Sequence, residues 1–467
     1  MWAVISQIPV PDVVARAGGM LSYLPVPSPL VAALALTVLF GLVWLLHWSI
    51  TPSSNQLNLY YNQSNPLTLC IPKRPPRRVE TTSSIEHAAT TRHAPLPNVA
   101  KPPSTTQTLP KRLAARCPSL TDKAKAIFTP SRWLFNGHLQ TAAVTKLAFF
   151  KGYDVDYHRE LVSLPDGGAV ALDWYPSFEE QPDSSIPIVL ILHGLTGGSH
   201  EFYVRALVQW MTAAPYHYRA VVMNNRGCGF SELLTPQMYS AGYTDDLRFV
   251  LNRLHRQFPD TSMLAAGFSL GANILVKYLG EEEGRCFLQG AVAVGNPFNM
   301  LKASEILSEG LLGSLIYTKV MRNNLVRAFL RHKQVFNGSG LDVDLVAKSR
   351  TLYEFDDLMT RRMFGFETVR DYYISASSSP WVRRVRVPLL CLNSLDDPIC
   401  SFQSIPFQDC INNPYVVLAT TAHGGHLGWF ETGADDNQIK PWWTKPVGEF
   451  IAALEGTQVV TSGAQAR

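Results

Sequence analysis

Gly267-Phe268-Ser269-Leu270-Gly271 stands between two runs of different character. Met263-Leu264-Ala265-Ala266 before it is short and wholly apolar, as a strand covered on both faces must be. Ala272-Asn273-Ile274-Leu275-Val276-Lys277-Tyr278-Leu279 after it has a helical composition. A serine on a sharp strand-to-helix turn needs small residues on either side, so that strand and helix can pass closely, and glycine stands two residues away in both directions. The turn exposes the serine hydroxyl and leaves the Leu270 N–H at a helix N-terminus. Context carries the reading, because the five-residue pattern alone is commonplace in a chain with 31 glycines.

Outward from this turn, apolar runs at 186–192, 220–224, 263–266, 290–294, 388–392 and 415–420 alternate with helix-length segments. Most are continuous Val, Ile, Leu and Ala, the signature of strands in a buried parallel sheet. Two earlier runs, 158–164 and 169–175, flank Pro165-Asp166-Gly167-Gly168 and predict a hairpin. Eight strands in a mostly parallel, doubly wound α/β sheet are therefore expected. The stretch from about 297 to 380 has helical patterns and no strong strand signal, which suits a helical cap inserted over the strand ends.

The ends of these strands carry the chemistry. After the run at 186–192 comes His193-Gly194-Leu195-Thr196-Gly197-Gly198, and the Leu195 N–H is expected to join that of Leu270 in an oxyanion hole. The Lys-Ser/Thr that a phosphate-cradling loop would need is missing there. After 388–392 comes Asn393-Ser394-Leu395-Asp396-Asp397-Pro398. Asp397 is the expected triad acid, because Pro398 fixes the turn after it, and Asp396 is the alternative. After the last strand, Thr421-Ala422-His423-Gly424-Gly425-His426-Leu427-Gly428 offers two histidines. His426 is favoured as the base, since the glycine pair before it permits a tight loop aimed at Ser269. The chain order Ser269, Asp397, His426 is the order an α/β-hydrolase requires. The pair His423 and His426 lacks helical spacing and a nearby third ligand, so no metal is expected. His255 and Asp260 match an acyltransferase spacing, but they end a helix ahead of a strand, opposite the expected catalytic edge.

Residues 30–46 form an uninterrupted apolar stretch, and no charged residue occurs between Arg16 and Lys73. This predicts one transmembrane helix over 26–48, with Trp44 and Trp48 near one end as interfacial aromatics. Lys73, Arg74, Arg77 and Arg78 follow about 25 residues later, at the edge of the range of the positive-inside rule, and lean toward a cytosolic folded domain without fixing the side. Pro, Ser, Thr, Asn and Gln dominate 49–115, which reads as an extended tether. The layout expected is a tail at 1–25, a helix at 26–48, a tether at 49–115, a hydrolase domain at 116–455 and a tail at 456–467.

Composition agrees with this layout. Hydrophobic residues make up 46% and charged residues 17%, and the formal charge of +4 is spread among acids and bases, so nucleic acid is not an expected partner. Seven cysteines without a framework spacing fix no redox compartment. No cofactor and no particular oligomeric state is indicated.

Residues 115–455 resemble the AB-hydrolase-4 family of single-pass membrane α/β-hydrolases, which includes medium-chain ester synthase/esterases and medium-chain phospholipases. The most specific likeness is Asn136-Gly137-His138-Leu139-Gln140-Thr141. Asp166-Gly167-Gly168, Asn225-Arg226-Gly227, Phe355-Asp356, Asp371-Tyr372-Tyr373 and the loop at His426 add to it. The resemblance implies a lipid or medium-chain acyl ester as substrate, an acyl-enzyme on Ser269, and hydrolysis or transfer of the acyl group to a small alcohol. It also implies a single-pass membrane location, such as the endoplasmic reticulum or a lipid droplet. Competing expectations are an inactive, membrane-tethered binding protein and an esterase for small soluble esters.

Overall fold

A computed structural model describes residues 56–72, 104–145, 152–183, 185–433 and 438–460. In chain order its main strands are β1 (Asn58–Tyr60), β2 (Thr68–Pro72), β3 (Ser104–Thr108), β4 (His158–Ser163), β5 (Ala169–Tyr175) and β6 (Ile188–Leu192). They continue with β7 (Arg219–Asn224), β8 (Met263–Phe268), β9 (Gly290–Val294), β10 (Leu389–Ser394) and β11 (Val416–Thr421). Nine of them make one sheet in the order β1-β11-β10-β9-β8-β6-β7-β5-β4. From β11 to β7 neighbours run parallel, while β1, β5 and β4 pair antiparallel at the edges.

The six parallel strands are buried along their whole length, which is why they read as continuous apolar runs. Side chains still alternate between faces. Val189 and Ile191 of β6 pack with the helices Phe202–Thr212 and Thr444–Leu454 on one side. Ile188, Leu190 and Leu192 pack with Asp245–Gln257 and Leu270–Glu282 on the other. The sheet is thus the middle of three layers.

Three differences from the expected layout share one cause. The sheet has nine strands rather than eight, because Asn58–Tyr60, inside the expected tether, adds to the edge beside β11. Within that same stretch, β2 and β3 form a small sheet with Gln458–Val459, which was expected in the C-terminal tail. The helix Leu109–Arg116 buries Leu109 and Leu113. These elements are short and half exposed, so their few buried side chains set up no apolar period in a polar sequence. The expected transmembrane segment at 26–48 lies outside the described residues. Among those described, no helix is long and apolar enough to cross a membrane.

Between β9 and β10 the chain leaves the sheet and forms a helical insertion, including Met300–Glu309, Thr318–Arg331 and Val369–Ala376. Its own core joins Leu325, Phe329, Phe336, Phe355 and Met359. Two residues on the helix after Ser269 tie its far end down. Asn273 donates to the carbonyls of Ala241 and Ala376 and accepts from the Ser378 N–H, and the Lys277 ammonium donates to the carbonyls of Gly242 and Ser375. The Asp371-Tyr372-Tyr373 run also has a mechanical reading. Asp371 closes a capping box with Thr368, Tyr372 Oη accepts from the Ala241 N–H, and Tyr373 Oη donates to Asp356.

On the other flank, Arg226 makes a two-pronged contact with Asp246, at 2.7 Å for both bonds, and also reaches Asp166 in the β4–β5 turn. One buried guanidinium therefore joins the loop after β7, the helix Asp245–Gln257 and the hairpin. Arg226→Met leaves Asp246 buried without a counter-charge and is expected to cost about 3 kcal/mol of stability. A lowered urea midpoint in detergent-solubilised protein checks this.

Candidate active site

β8 ends at Phe268, and Ser269 turns the chain into the helix with φ +52° and ψ −117°. Few residues with a Cβ tolerate that geometry. It is held by the Ser269 N–H, which donates to Val294 O of β9 at 2.9 Å, and by Asn273 N–H donating to Ser269 O at 3.1 Å. The flanking glycines are required by space. A Cβ on Gly267 would lie 2.6 Å from Gly271 O, and one on Gly271 would lie 2.5 Å from His193 O.

Three groups from three loops converge at this turn. Ser269 Oγ and His426 Nε2 are 2.8 Å apart, and His426 Nδ1 is 2.8 Å from Asp397 Oδ2. Asp397 is an acceptor in its ionised form, so Nδ1 carries the imidazole proton and Nε2 accepts from the serine hydroxyl. The other Asp397 oxygen accepts from the N–H groups of Ile399 and Cys400, at 2.8 Å each. Asp397 and His426 are buried, and Ser269 is half buried in the lining of a cleft of about 890 Å³, its open entrance included. Cys400 completes a cluster of possible metal donors with Asp397 and His426. Its thiol is pushed well up, first by burial and then by Asp397, and it donates to Gly295 O, so it has the character of a neutral packing group.

The two alternatives from the sequence form a pair of their own. Asp396 accepts from His423 Nδ1 at 3.2 Å, from Ser394 Oγ at 2.5 Å and from the Gly425 N–H at 2.9 Å. Burial works against its charge, yet these donors hold its carboxyl below the ordinary value. Asp396 thus clamps the loop that carries His426, while its neighbour Asp397 meets the imidazole.

A model of the α/β-hydrolase fold matches residues 187–314. The chain is 39% identical over 335 residues to the embryogenesis-associated protein EMB8 of Picea glauca, covering 69% of this chain and 72% of that one. It is 33% identical over 384 residues to the monoacylglycerol lipase of Saccharomyces cerevisiae, covering 74% and 84%. It is 34% identical over 342 residues to phospholipase ABHD3 of Homo sapiens, covering 72% and 81%. The chain belongs to the AB-hydrolase-4 family.

The segment that marks the family is a buttress beneath the His426 loop. Asn136 caps the helix Gly137–Val144 by accepting from the Leu139 N–H. Gly137 lies so close to the acid loop that a Cβ would come 2.0 Å from Asp396 O. Gln140 accepts from the Phe430 N–H and donates to the carbonyls of Leu134 and Phe430. Thr141 Oγ1 donates to Gly137 O and accepts from the His426 N–H at 2.8 Å. Gly425, with φ +59°, has no room for a Cβ, which would lie 2.3 Å from Gly137 O. The sequence singled out this segment as the most specific likeness to the family and gave it no mechanical role. Its partners lie almost 300 residues further along the chain, and no local pattern signals them.

Above Ser269, the loop after β6 brings Leu195 to the cleft. The N–H groups on either side are occupied: Gly194 donates to Tyr203 Oη and Thr196 to Tyr239 Oη. Among the described residues no acceptor pairs with the N–H of Leu195 or Leu270. His193 sets this loop, since Nδ1–H donates to Gly194 O at 2.7 Å while Nε2 accepts from the Asn225 N–H at 3.1 Å. A trans peptide carries its C=O and N–H on opposite sides, so the bond that fixes the Gly194 carbonyl also fixes the Leu195 N–H.

Burial pulls the His193 imidazole down to about 4 from an ordinary value near 6.5. In the unfolded chain it takes up a proton below about 6.5, and in the folded chain only near 4, so the unfolded state binds more protons in between. Stability is therefore expected to fall as pH drops from about 6.5 to about 4, by on the order of 1 kcal/mol per pH unit from this group. Urea unfolding at pH 7 and pH 5 checks it, and the difference between the two should shrink in His193→Asn.

Proposed function

We propose that this protein is a serine hydrolase of lipid or medium-chain acyl esters, with Ser269 as nucleophile, His426 as general base and acid, and Asp397 as the group that orients and stabilises the imidazolium. The observation that carries this is the continuous chain from Asp397 through His426 to Ser269, with 2.8 Å at each step, opening onto an apolar cleft. Ser269 Oγ attacks the ester carbonyl while His426 Nε2 takes its proton. The N–H groups of Leu195 and Leu270, free of other acceptors, are positioned to bind the oxyanion. Collapse expels the alcohol, which leaves with the proton from His426, and an acyl group stays on Ser269. Water then attacks by the reverse of the same proton path.

The cleft supports an acyl chain as the group bound beyond Ser269. Met300, Leu307, Met321, Leu325, Met359 and Met363 supply much of its lining, and methionine adapts to irregular apolar shapes. The names of the relatives, a monoacylglycerol lipase and a phospholipase among them, support a glycerol-based lipid ester. Acyl transfer to a small alcohol uses the same acyl-enzyme, with the alcohol replacing water. We also read residues 26–48 as an anchor that keeps this domain at a membrane, a reading supported by the uninterrupted apolar run in the sequence.

Labelling with a fluorophosphonate probe tests the nucleophile: wild-type protein should label and Ser269→Ala should not. Folded wild-type protein that stays unlabelled would refute the proposal. The two aspartates separate in kinetics. Asp397→Asn removes the partner of the imidazole and is expected to lower kcat by about 10⁴-fold, with KM little changed. Asp396→Asn loosens a supporting loop and should cost far less. Hydrolysis of p-nitrophenyl esters should also rise from two carbons to about six to ten, since each added methylene buried in the transition state contributes about 0.8 kcal/mol. A maximum at acetate would favour small soluble esters instead.

A further inference from the structure

We infer that the outer edge of the cap, formed by Leu311, Leu312, Leu315, Ile316 and Val320, is a docking surface for an anionic lipid bilayer. The inference rests on the lipid-ester reading above for its purpose, which is to bring a bilayer-borne acyl chain to the cleft.

The segment from Met300 to Arg331 is apolar on two sides. Its inner side supplies Met300, Leu307, Met321 and Leu325 to the cleft. Its outer side shows Leu311 at 74% exposure, Leu315 at 52% and Ile316 at 49%, with Leu312 and Val320 close behind. Five large aliphatic side chains exposed within ten residues are a contiguous patch rather than the scattered single residues of an ordinary surface. A helix apolar on both sides needs an apolar medium on both.

Position ties the patch to catalysis. Tyr317, next to Ile316, is hydrogen-bonded to His138 at 2.7 Å, and the two rings stack with centroids 5.8 Å apart. His138 follows Gly137, whose backbone abuts Asp396. The patch is therefore pinned beside the loop that carries Asp397.

Charge selects the partner. From Leu311 to Gly340 the chain contains Lys319, Arg322, Arg327, Arg331 and Lys333 and no Asp or Glu, and with Lys302, Glu305 and Glu309 ahead of the patch the stretch 300–333 has six basic residues against two acidic ones. Among the described residues none of these five is ion-paired with a carboxylate. An apolar strip flanked by basic side chains is the make-up of a helix that lies in the headgroup region of an anionic membrane. A second copy docked on this face about a two-fold axis would set the same basic residues against one another.

The full chain in nanodiscs of phosphatidylcholine, with and without phosphatidylglycerol, tests this. Amide exchange in peptides covering 311–322 should slow on the anionic discs relative to detergent, and this slowing should vanish in L315E/I316E. That variant should hydrolyse a bilayer-borne medium-chain ester about tenfold more slowly while its rate on monomeric p-nitrophenyl butyrate is unchanged. In K319E/K333E the dependence on phosphatidylglycerol should flatten. Exchange that is the same in detergent and on anionic discs, or an equal loss of rate on both esters, overturns the docking surface. Slowing that grows with protein concentration in detergent assigns the patch to a second copy and likewise overturns it. Slowed exchange on anionic discs in a wild-type protein that cleaves neither ester leaves the docking surface standing and refutes the ester reading alone.

Discussion

A serine at φ +52° sits in a region that costs on the order of 1–3 kcal/mol, and such a residue persists only where its surroundings leave no alternative. Here the surroundings are the strand β9, which takes the Ser269 N–H, and the first turn of the following helix, which is held to the Ser269 carbonyl. Relaxing the turn would break both. The close passage of strand and helix, and the approach of that helix to the loop after β6, follow from this one constraint. Gly267 and Gly271 exist because the strained turn drives helix and strand together, and Gly271 brings the helix onto the backbone of Leu192 and His193, where the Leu195 loop begins.

The same helix sets the cap. Asn273 and Lys277 lie one and two turns beyond Ser269, and both are spent on backbone carbonyls and N–H groups of the cap's return and of the loop at Ala241 and Gly242. A buried ammonium and a fully buried amide are costly unless satisfied, so these contacts specify one placement of the insertion rather than a sliding contact. Asp356 repeats the logic within the cap. Burial raises its carboxyl to about 6, against hydrogen bonds from Thr360 and Tyr373, and the Tyr373 bond joins two cap helices at the wall of the cleft. The cleft is therefore bounded by polar fastenings around an apolar interior, which fixes its walls and leaves adaptable methionines within it.

The parts of this site legible in the sequence are those that a strand end announces. Ser269, Asp397 and His426 each follow a buried apolar run, in the chain order expected of nucleophile, acid and base in an α/β-hydrolase. The central strands were legible because burial on both faces writes itself into five or six consecutive residues. The edge strand β1 was not, since three half-exposed residues amid polar sequence carry no period. Pro398 favoured Asp397 over Asp396 in the sequence, and in the structure Asp397 meets His426 while Asp396 meets His423.

Why the family marker should lie so far ahead of the core, at Asn136 to Thr141, becomes a question of loop entropy. The His426 loop contains Gly424 and Gly425, and positive φ values at Leu427 and Trp429, so by itself it has many conformations to lose. A loop of that kind aims an imidazole only if something outside it removes the freedom. Thr141 does so at the His426 N–H, Gln140 at both backbone groups of Phe430, and the Asp396 carboxylate at the Gly425 N–H, while Gly137 lets the helix that carries Thr141 press against Asp396. The glycines give the loop its tight path and the marker helix takes away the disorder they bring. An α/β sheet without that helix would still present a serine, an acid and a histidine in the right order, but the histidine would spend much of its time elsewhere. This is the physical reason for a marker outside the strands: the His426 loop is held by a helix near the start of the domain.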